Sequence, residues 1–321
     1  MPTLRQLEYF VAIAETLHFR NAAKRVNASQ PTLSGQLKAL EDRLGVQLVE
    51  RGASAIMLTE IGERILEIAR RILLDAGEIR EVAAGDQGSL NGVIQLGLPP
   101  TIGPYLLPSI MPDLRRHYPD MKLHVREELP ETLPLSLGHG KYDLIIAPFP
   151  LLKEEFHSVA LFKEPLLLTV SRQHRLASRT RIYRSDLVGE DVMTLGPGYY
   201  LHDIVVALCE EIGARVRLEY EGTSLDTLRE MVATDLGVTF LPGLYVKTVL
   251  SRDHGLRTLR FAGKKLQRSV GMAWRTTSGR MEQYLELSDL VRATIERKFP
   301  DMDPGHASRV HRRNSKTVKS S

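Results

Sequence analysis

The sequence has a single cysteine, Cys209, among 321 residues, so no intrachain disulfide can form. It lacks any apolar run close to the roughly 20 residues that a membrane-spanning helix needs. Its start, MPTLRQLEYF, has no basic region followed by an apolar stretch, so no signal peptide is recognisable. Its 10 histidines show no metal-ligand spacing, and neither a glycine-rich phosphate loop nor an HExxH motif is present. We therefore expect a cytoplasmic protein with no membrane partner, no metal site and no cofactor.

The composition is that of an ordinary globular protein. Hydrophobic residues make up 43% of the chain and charged residues 26%, as in soluble domains. The length predicts about two or three domains. A net charge of +4 and a pI of about 9.1 are compatible with a nucleic-acid partner without identifying one.

Residues 17–51 carry the most specific pattern, two short helices joined by a tight turn and followed by a segment that ends in a basic residue. Asn27 and Ala28 interrupt the first helical run. Ser29 can cap the next helix because its hydroxyl can accept an unpaired backbone N–H, and Pro31 fits the first helical turn. A helix beside such a bend can enter a DNA major groove, and the alternative is an ordinary pair of packed helices.

The helix after Ser29 has one apolar and one polar side. Its leucines recur at helical spacing and are expected to face a core: Leu33, Leu37, Leu40 and Leu44. Thr3 and Gln6 form a capping box that opens an earlier helix, so residues 1–58 are predicted to be a winged helix-turn-helix unit. The residues expected to approach DNA are Gln30, Pro31, Thr32, Ser34, Lys38 and Arg51.

Residues 59–84 predict one long helix with Thr59 as its cap. Its isoleucines step by three and four residues, which is the seam of a two-stranded coiled coil. The alternative is a helix that packs on its own domain. A turn-rich stretch follows, and residues 59–90 are assigned to this dimerising linker helix and its hinge. The expected dimer contacts are Ile65, Ile68 and Ile72.

From Val93 onward, short apolar runs alternate with helical stretches, which predicts an α/β domain with mostly parallel sheets. The predicted strands are 93–98, 122–127, 143–147, 166–170, 216–219, 238–241 and 270–274, and the predicted helices are 104–117, 132–138, 201–212, 225–234 and 281–298. The whole chain is therefore expected to have an α+β multidomain fold.

Ligands in such folds bind beyond the carboxyl ends of strands, near helix N-termini. Thr101 and Ser224 lie at two such places, although each residue could simply cap its helix. We expect a small anionic effector there, held by N–H groups and hydroxyls without a buried lysine or arginine. The residues predicted to line this cleft are Thr101, Ile102, Gly103, Tyr199, Tyr200, His202, Thr223 and Ser224. A packing role is the alternative for Tyr199 and Tyr200.

The segment LRQLEYFVAIAETLHFRNAAKRVNASQPTLSGQLKALEDRLGVQLVER resembles the DNA-binding domain of LysR-type transcriptional regulators, and residues 1–298 resemble that family throughout. The resemblance implies a periplasmic-binding-protein-like, two-lobed effector domain. No enzymatic activity is expected, because no catalytic constellation is legible in the sequence. The resemblance also implies binding to a double-stranded operator as a homodimer through residues 59–84, pairing into a homotetramer, and RNA polymerase as a candidate partner. The effector domain is assigned to 91–298, with lobe I at 91–163 and 269–298 and lobe II at 164–268.

The segments PTIGPYLLPSIMPDL, LFKEPLLL and TSLDTLREMVATDLGVTFLP are similar to peroxide-sensing members of the family. In those members a histidine and then a reactive cysteine stand before a second cysteine, nine positions on. The resemblance aligns Cys209 with the second cysteine, Tyr200 with the reactive one and Tyr199 with the histidine. It implies that the redox switch is lost, because a phenol cannot attack peroxide as a thiolate does.

Cys209 itself lies on an apolar helical edge and is predicted to be a buried small hydrophobe. A redox-responsive regulator that uses this thiol, through an intermolecular disulfide or a sulfenic acid, stays an alternative. A catalytic nucleophile is disfavoured because no Cys/His/Asp grouping is discernible.

Two further segments bear on the prediction of DNA binding, the wing and the C-terminal tail. The predicted wing has one basic residue, Arg51, so other basic side chains would have to supply charge for DNA. Residues 299–321 are predicted to be a disordered basic tail, with non-specific attraction to DNA phosphates as the functional alternative.

The competing class for the whole chain is a solute-binding protein. That class would leave residues 1–84 unexplained.

Overall fold

A computed structural model describes residues 1–51, 56–83, 90–151, 154–250, 255–262 and 266–304. Most of the predicted wing's tip, most of the predicted hinge and the basic tail from residue 305 lie outside these residues. The chain forms two compact units, one from 1–88, 136–142 and 277–279 and the other from 89–135, 143–276 and 280–321. No helix in the described part of the chain is long and apolar enough to cross a membrane.

The first unit is a helix-turn-helix domain followed by a long helix. Its described helices are α1 (Leu4–Thr16), α2 (Phe19–Arg25), α3 (Gln30–Leu44) and α4 (Glu60–Ala83). The antiparallel strands β1 (Val49–Arg51) and β2 (Ile56–Leu58) lie between α3 and α4 in the chain and form the wing.

Side-chain caps determine where these helices begin. The Thr3 hydroxyl accepts the Gln6 N–H and the Gln6 side chain accepts the Thr3 N–H, which confirms the capping box. Ser29 accepts the Thr32 N–H at the start of α3, as predicted. Asn27 adopts a φ of 50° between α2 and α3, the left-handed conformation that asparagine tolerates better than most residues.

The core of the first unit also takes in the start of α4. The α3 leucines Leu33, Leu37 and Leu40 are fully buried, and α4 adds Leu66 and Ala69. Gly62 allows the close approach, because a methyl group there would lie 2.1 Å from the Leu48 carbonyl oxygen. One side of α4 therefore packs on its own domain.

The rest of the chain alternates strands and helices. The described helices are α5 (Gly103–His117), α6 (Leu133–Gly138), α7 (Tyr200–Ile212), α8 (Leu225–Ala233), α9 (Gly243–Thr248) and α10 (Met281–Lys298). The strands are β3 (Gly92–Leu98), β4 (Met121–Glu127), β5 (Leu144–Phe149), β6 (Phe156–Ser171), β7 (Asp191–Leu195), β8 (Arg215–Gly222), β9 (Val238–Pro242), β10 (Leu256–Leu259), β11 (Gln267–Arg275) and β12 (Asp303–Pro304).

The strand order β4-β3-β5-β11-β6-β9-β7-β8 divides the effector domain into two lobes. β3 is parallel to β4 and β5 in one lobe, and β7 is parallel to β8 and β9 in the other. β6 is antiparallel to β11 along its first part and to β9 and β10 along its second, so it runs through both lobes. The prediction of mostly parallel sheets is therefore wrong for the strands that join the lobes.

The chain beyond α10 is part of the fold as far as residue 304. Phe299 and Met302 are 7% and 4% exposed and belong to the core of the second unit. Asp303 and Pro304 pair with β6. The predicted tail therefore starts too early at residue 299, because these two apolar side chains anchor the segment after the helix.

Candidate DNA interface and effector cleft

α3 carries the predicted DNA-contacting residues on the side away from its buried leucines. Gln30, Pro31, Thr32 and Lys38 are exposed, and Ser34 is half-buried. Arg51 ends β1, and its side chain lies outside the described part of the chain. The accessible side of this helix is thus polar and short enough to approach base edges and phosphates in a major groove.

Contacts that the sequence did not reveal hold α3 in position. Gln6 Nε2 donates to Gln36 Oε1 at 3.2 Å and ties α1 to α3. Ser29 Oγ and Thr32 Oγ1 are 2.7 Å apart, so the Thr32 hydroxyl is already engaged with the helix cap. The recognition surface is therefore oriented by the contact between Gln6 and Gln36 and by the cap that Ser29 and Thr32 form.

α4 exposes a stripe of isoleucines on the side that does not pack on the first unit's core. The exposed members are Ile61, Ile68, Ile72 and Ile79. Ile65 differs from the prediction, because it is half-buried and packs against the first unit's own core. Spacings of seven and four residues are those of a coiled-coil seam. An exposed apolar stripe of this kind is typical of interaction surfaces.

In the effector domain, Thr101 is buried and held by Arg268. Arg268 Nη1 donates to Thr101 Oγ1 at 3.1 Å, and Nη2 donates to the Thr101 carbonyl oxygen at 2.9 Å. Arg268 Nε donates to Glu164 Oε1 at 2.6 Å, and Glu164 Oε2 accepts the Leu244 N–H at 2.7 Å. Arg268 is 1% exposed, so a buried arginine that the sequence did not indicate lies beside Thr101.

Four backbone N–H groups at the start of α5 are bonded within the chain. The N–H groups of Ile102 and Gly103 donate to Pro99, those of Tyr105 and Leu106 donate to Ile102, and Pro104 has none. The Ile102 side chain is fully buried in the core. A methyl group on Gly103 would lie 2.9 Å from Glu127 Oε1, so a carboxylate of the chain already stands there. These contacts argue against an anion held by the N–H groups of Ile102 and Gly103.

Ser224 caps α8, because its hydroxyl accepts the Asp226 N–H at 3.2 Å. The Asp226 carboxylate accepts the Tyr245 hydroxyl at 2.9 Å and the Tyr105 hydroxyl at 3.3 Å. Tyr105 lies on α5 and Asp226 on α8, so the second bond joins the two lobes. Burial and the neighbouring Asp226 carboxylate raise the pKa of both tyrosines, which therefore stay protonated donors at neutral pH.

The start of α7 separates the predicted rim residues. Tyr199 is 6% exposed and donates its hydroxyl to the Thr223 carbonyl oxygen at 3.0 Å, and burial raises its pKa. His202 Nδ1 lies 2.7 Å from the Leu195 carbonyl oxygen. Tyr199 thus has the packing role that is the alternative for the two tyrosines, and Thr223 contributes its backbone carbonyl. Tyr200, at 36% exposed, is the tyrosine of the pair that reaches the surface.

Carboxylates of the chain itself stand near all three helix starts around the cleft. Glu127 lies near Gly103 at α5, Asp226 lies in the first turn of α8, and Glu131 Oε1 would lie 3.2 Å from a methyl group on Gly198, just before α7. An anionic ligand would meet like charge at each of them, whereas a neutral or cationic ligand would not. Within the described residues, no group of three or more His, Cys, Asp or Glu side chains is placed to hold a metal ion.

Cys209 lies on α7 with its side chain in the core. It is 1% exposed, and burial raises the pKa of its thiol to about 11. The prediction of a buried small hydrophobe is confirmed. At neutral pH the thiol is protonated, which makes it a weak nucleophile.

A winged helix-turn-helix joined to a two-lobed effector domain defines a class, the DNA-binding transcription regulators that respond to an effector. Residues 4–63 match the model for the bacterial regulatory helix-turn-helix protein of the lysR family. Residues 87–296 match the LysR substrate binding domain. The chain therefore belongs to the LysR family of transcriptional regulators.

Its relatives include OxyR proteins. The chain is 38% identical over 296 residues to the DNA-binding transcriptional dual regulator OxyR of Escherichia coli K12, covering 92% of this chain and 97% of that protein. It is 37% identical over 295 residues to a probable hydrogen peroxide-inducible genes activator of Streptomyces viridosporus, with 92% and 95% covered. A full-length OxyR variant from Pseudomonas aeruginosa has a similar structure, with a TM-score of 0.77, 34% identity, and 91% and 98% covered. The chain is an OxyR-like regulator.

Proposed function

We propose that this regulator is switched by a small molecule bound without covalent chemistry between the two lobes, and not by peroxide-driven disulfide formation. The observation that carries the proposal is Cys209, the chain's one cysteine, which is 1% exposed and has a raised thiol pKa. In the sequence resemblance, Tyr200 takes the place of the reactive cysteine. A phenol cannot form the sulfenic acid from which a disulfide would follow.

The chemistry of the cleft favours a neutral or cationic effector. Glu127, Glu131 and Asp226 add negative charge at the helix starts, and Tyr200 adds an exposed aromatic ring. A ligand that donates hydrogen bonds would satisfy these carboxylates. The bond from Tyr105 to Asp226 crosses between the lobes, so a ligand that competes for Asp226 would change the preferred separation of the lobes.

We propose further that the isoleucines exposed on α4 form the seam of a homodimer and that two dimers pair through their effector domains. Gln30 and Lys38 would then read and anchor two half-sites of an operator. RNA polymerase is the proposed partner at the promoter. The support is the exposed apolar stripe of α4 and the polar side of α3.

The test begins with genome-wide mapping of the DNA that the protein binds, followed by a reporter at the mapped promoter. We expect peroxide to leave reporter output, operator affinity and the mass of the Cys209 peptide unchanged. Cys209→Ser and Cys209→Ala should regulate like the wild type. A peroxide response that disappears in both cysteine variants would overturn the proposal and restore a thiol mechanism.

The ligand arm of the test uses thermal unfolding with a panel of small metabolites. Trp274, the chain's one tryptophan, is buried in β11 and reports on the effector domain. A compound that binds in the cleft should raise the unfolding temperature of the wild type and fail to do so for Tyr200→Ala. Tyr183→Ala is the matched control, because Tyr183 is an exposed tyrosine at the start of a separate 3-10 turn. Equal stabilisation of all three proteins would place the ligand outside the cleft.

A further inference from the structure

A cavity of about 200 Å³ lies beneath α9, and none of the residues predicted to line the effector cleft lines it. Its floor is apolar and includes Leu167 of β6, Val246 of α9 and Met302 from the segment after α10. Leu167 and Met302 are 8% and 4% exposed. The apolar part of a cavity of this size can take a compact hydrocarbon group, since a wholly apolar cavity of about 150 Å³ can bind benzene.

The rim of the cavity is charged. Lys247 Nζ donates to Asp301 Oδ2 at 2.7 Å, and Arg260 Nη2 lies 3.7 Å from the same oxygen. One carboxylate, that of Asp301, therefore faces two cations. The hydrogen bond from Lys247 holds the pKa of the Asp301 carboxyl below its usual range. Thr258 adds a hydroxyl to the lining. These groups leave a net positive charge beside an apolar floor.

Asp301 shows how a carboxylate is recognised at this rim, and it is a weak occupant. Its side chain is 54% exposed, and exposed ion pairs are worth little because water screens them. A ligand carboxylate attached to an apolar body would make the same contacts and would also fill the floor. The apolar surface of such a ligand would move out of water into the cavity. The Asp301 side chain cannot provide that gain in free energy.

We propose that this cavity binds a small organic monoanion, a short branched or cyclic carboxylate, whose carboxylate takes the place of the Asp301 side chain between Lys247 and Arg260. Inorganic phosphate does not fit, because it would leave the apolar floor unfilled. A larger ligand does not fit, because the volume lies below the roughly 300 Å³ at which pockets for drug-sized molecules begin. The site is independent of the effector cleft.

The experiment titrates the full-length protein with 3-methylbutanoate and with cyclohexanecarboxylate by calorimetry. Methyl spectra of the methionines serve as the local probe. Saturable binding should shift the Met302 signal and leave Met281, which is exposed on α10, unchanged. Lys247→Met should weaken binding about tenfold, the effect of losing one charge-assisted hydrogen bond. Asp301→Asn should strengthen binding, because it removes the competing carboxylate.

Matched controls separate the site from general charge effects. Arg260→Gln should weaken binding and Arg257→Gln should not, because Arg257 lies on β10 outside the cavity lining. Asp303→Asn, two residues beyond Asp301, should leave the affinity unchanged. The amide of 3-methylbutanoate and inorganic phosphate should bind far more weakly than the acids.

Three results would overturn the proposal. The first is the absence of saturable binding by either acid to both the wild type and Asp301→Asn. The second is equal binding of acid and amide, or affinity that Lys247→Met and Arg260→Gln leave unchanged. The third is loss of acid binding in Tyr200→Ala, which would place the acid in the effector cleft instead.

Discussion

Arg268 and Glu164 form an ion pair that solvent does not reach. Nε and Oε1 are 2.6 Å apart, and the side chains are 1% and 0% exposed. The two residues are cross-strand partners on β11 and β6, where β6 passes from one lobe to the other. Because Arg268 also binds Thr101 and Glu164 also binds Leu244, the pair fixes segments of both lobes at their junction.

Removing one member of this pair should destabilise the effector domain strongly. Arg268→Met leaves the Glu164 carboxylate buried without its counter-charge, which costs about 3–5 kcal/mol. The double variant with Glu164→Met should lose less than the single variant, because no charge stays buried. Urea unfolding followed by Trp274 fluorescence measures both. A single variant as stable as the wild type would show that water or another group reaches Glu164.

Gln30 and Lys38 are predicted to contribute to DNA binding in different ways. Gln30→Ala should cost about 1–3 kcal/mol at one operator position if its amide contacts a base. Lys38→Ala should weaken binding to many sequences alike and lower the salt slope by about 1. Fluorescence anisotropy with a mapped operator and its single-base variants distinguishes the two patterns.

Gln36→Ala is the control for this measurement. Gln36 lies on the same helix and is the same residue type, but its amide oxygen accepts a bond from Gln6. Gln36→Ala should change the free energy of unfolding more than it changes the preference for one base over another. Full operator affinity in a folded double variant of Gln30 and Lys38 would move the recognition surface elsewhere.

Ile68→Asp should disrupt the dimer. Ile68 is 47% exposed, and an aspartate there would place an unpaired charge in the proposed seam. Sedimentation velocity should show smaller species at concentrations where the wild type is assembled. Glu63→Lys, a change of charge on a different side of α4, should leave the assembly intact. An unchanged sedimentation coefficient for Ile68→Asp would assign the dimer contact to another surface.

Cys209 should react slowly with iodoacetamide at pH 8. Burial raises its thiol pKa to about 11 from the unperturbed 9.0, so the thiolate fraction falls about a hundredfold before access is considered. Burial favours the neutral thiol over the thiolate. The contribution of the buried neutral thiol to the free energy of unfolding is therefore present below pH 9.0 and is lost as the pH rises through about 11. Alkylation as fast as in the urea-unfolded protein would contradict this picture.

The sequence predicted best what depends on neighbouring residues. The capping box of Thr3 and Gln6 and the caps by Ser29 and Ser224 each rest on two or three residues of spacing, and the structure contains all of them. The family resemblance extended the prediction from single helices to the fold of the whole chain. Local chemistry of this type is readable because helix starts leave unpaired N–H groups that few side chains can satisfy.

The cleft was less predictable because its contacts connect distant positions. Arg268 is 104 residues from Glu164 and 167 residues from Thr101 along the chain. No spacing rule brings such residues together, so the polar groups at Thr101 looked available when they are engaged. For α4, periodicity identified the isoleucines but could not show that Ile65 packs inward, since that depends on where the first unit's core lies.

The pairing of Glu164 with Arg268 in adjacent strands has an architectural consequence. The chain leaves the first lobe at Glu164 and returns to it at the cross-strand partner Arg268, so the intervening lobe is an insertion whose two ends meet. Such a segment can be exchanged for another, or replaced by a tight turn, without altering the order of β5, β11 and the first part of β6. The first lobe follows the DNA-binding domain in the chain, and the second lobe can vary as an inserted module that contributes one wall of the proposed ligand site.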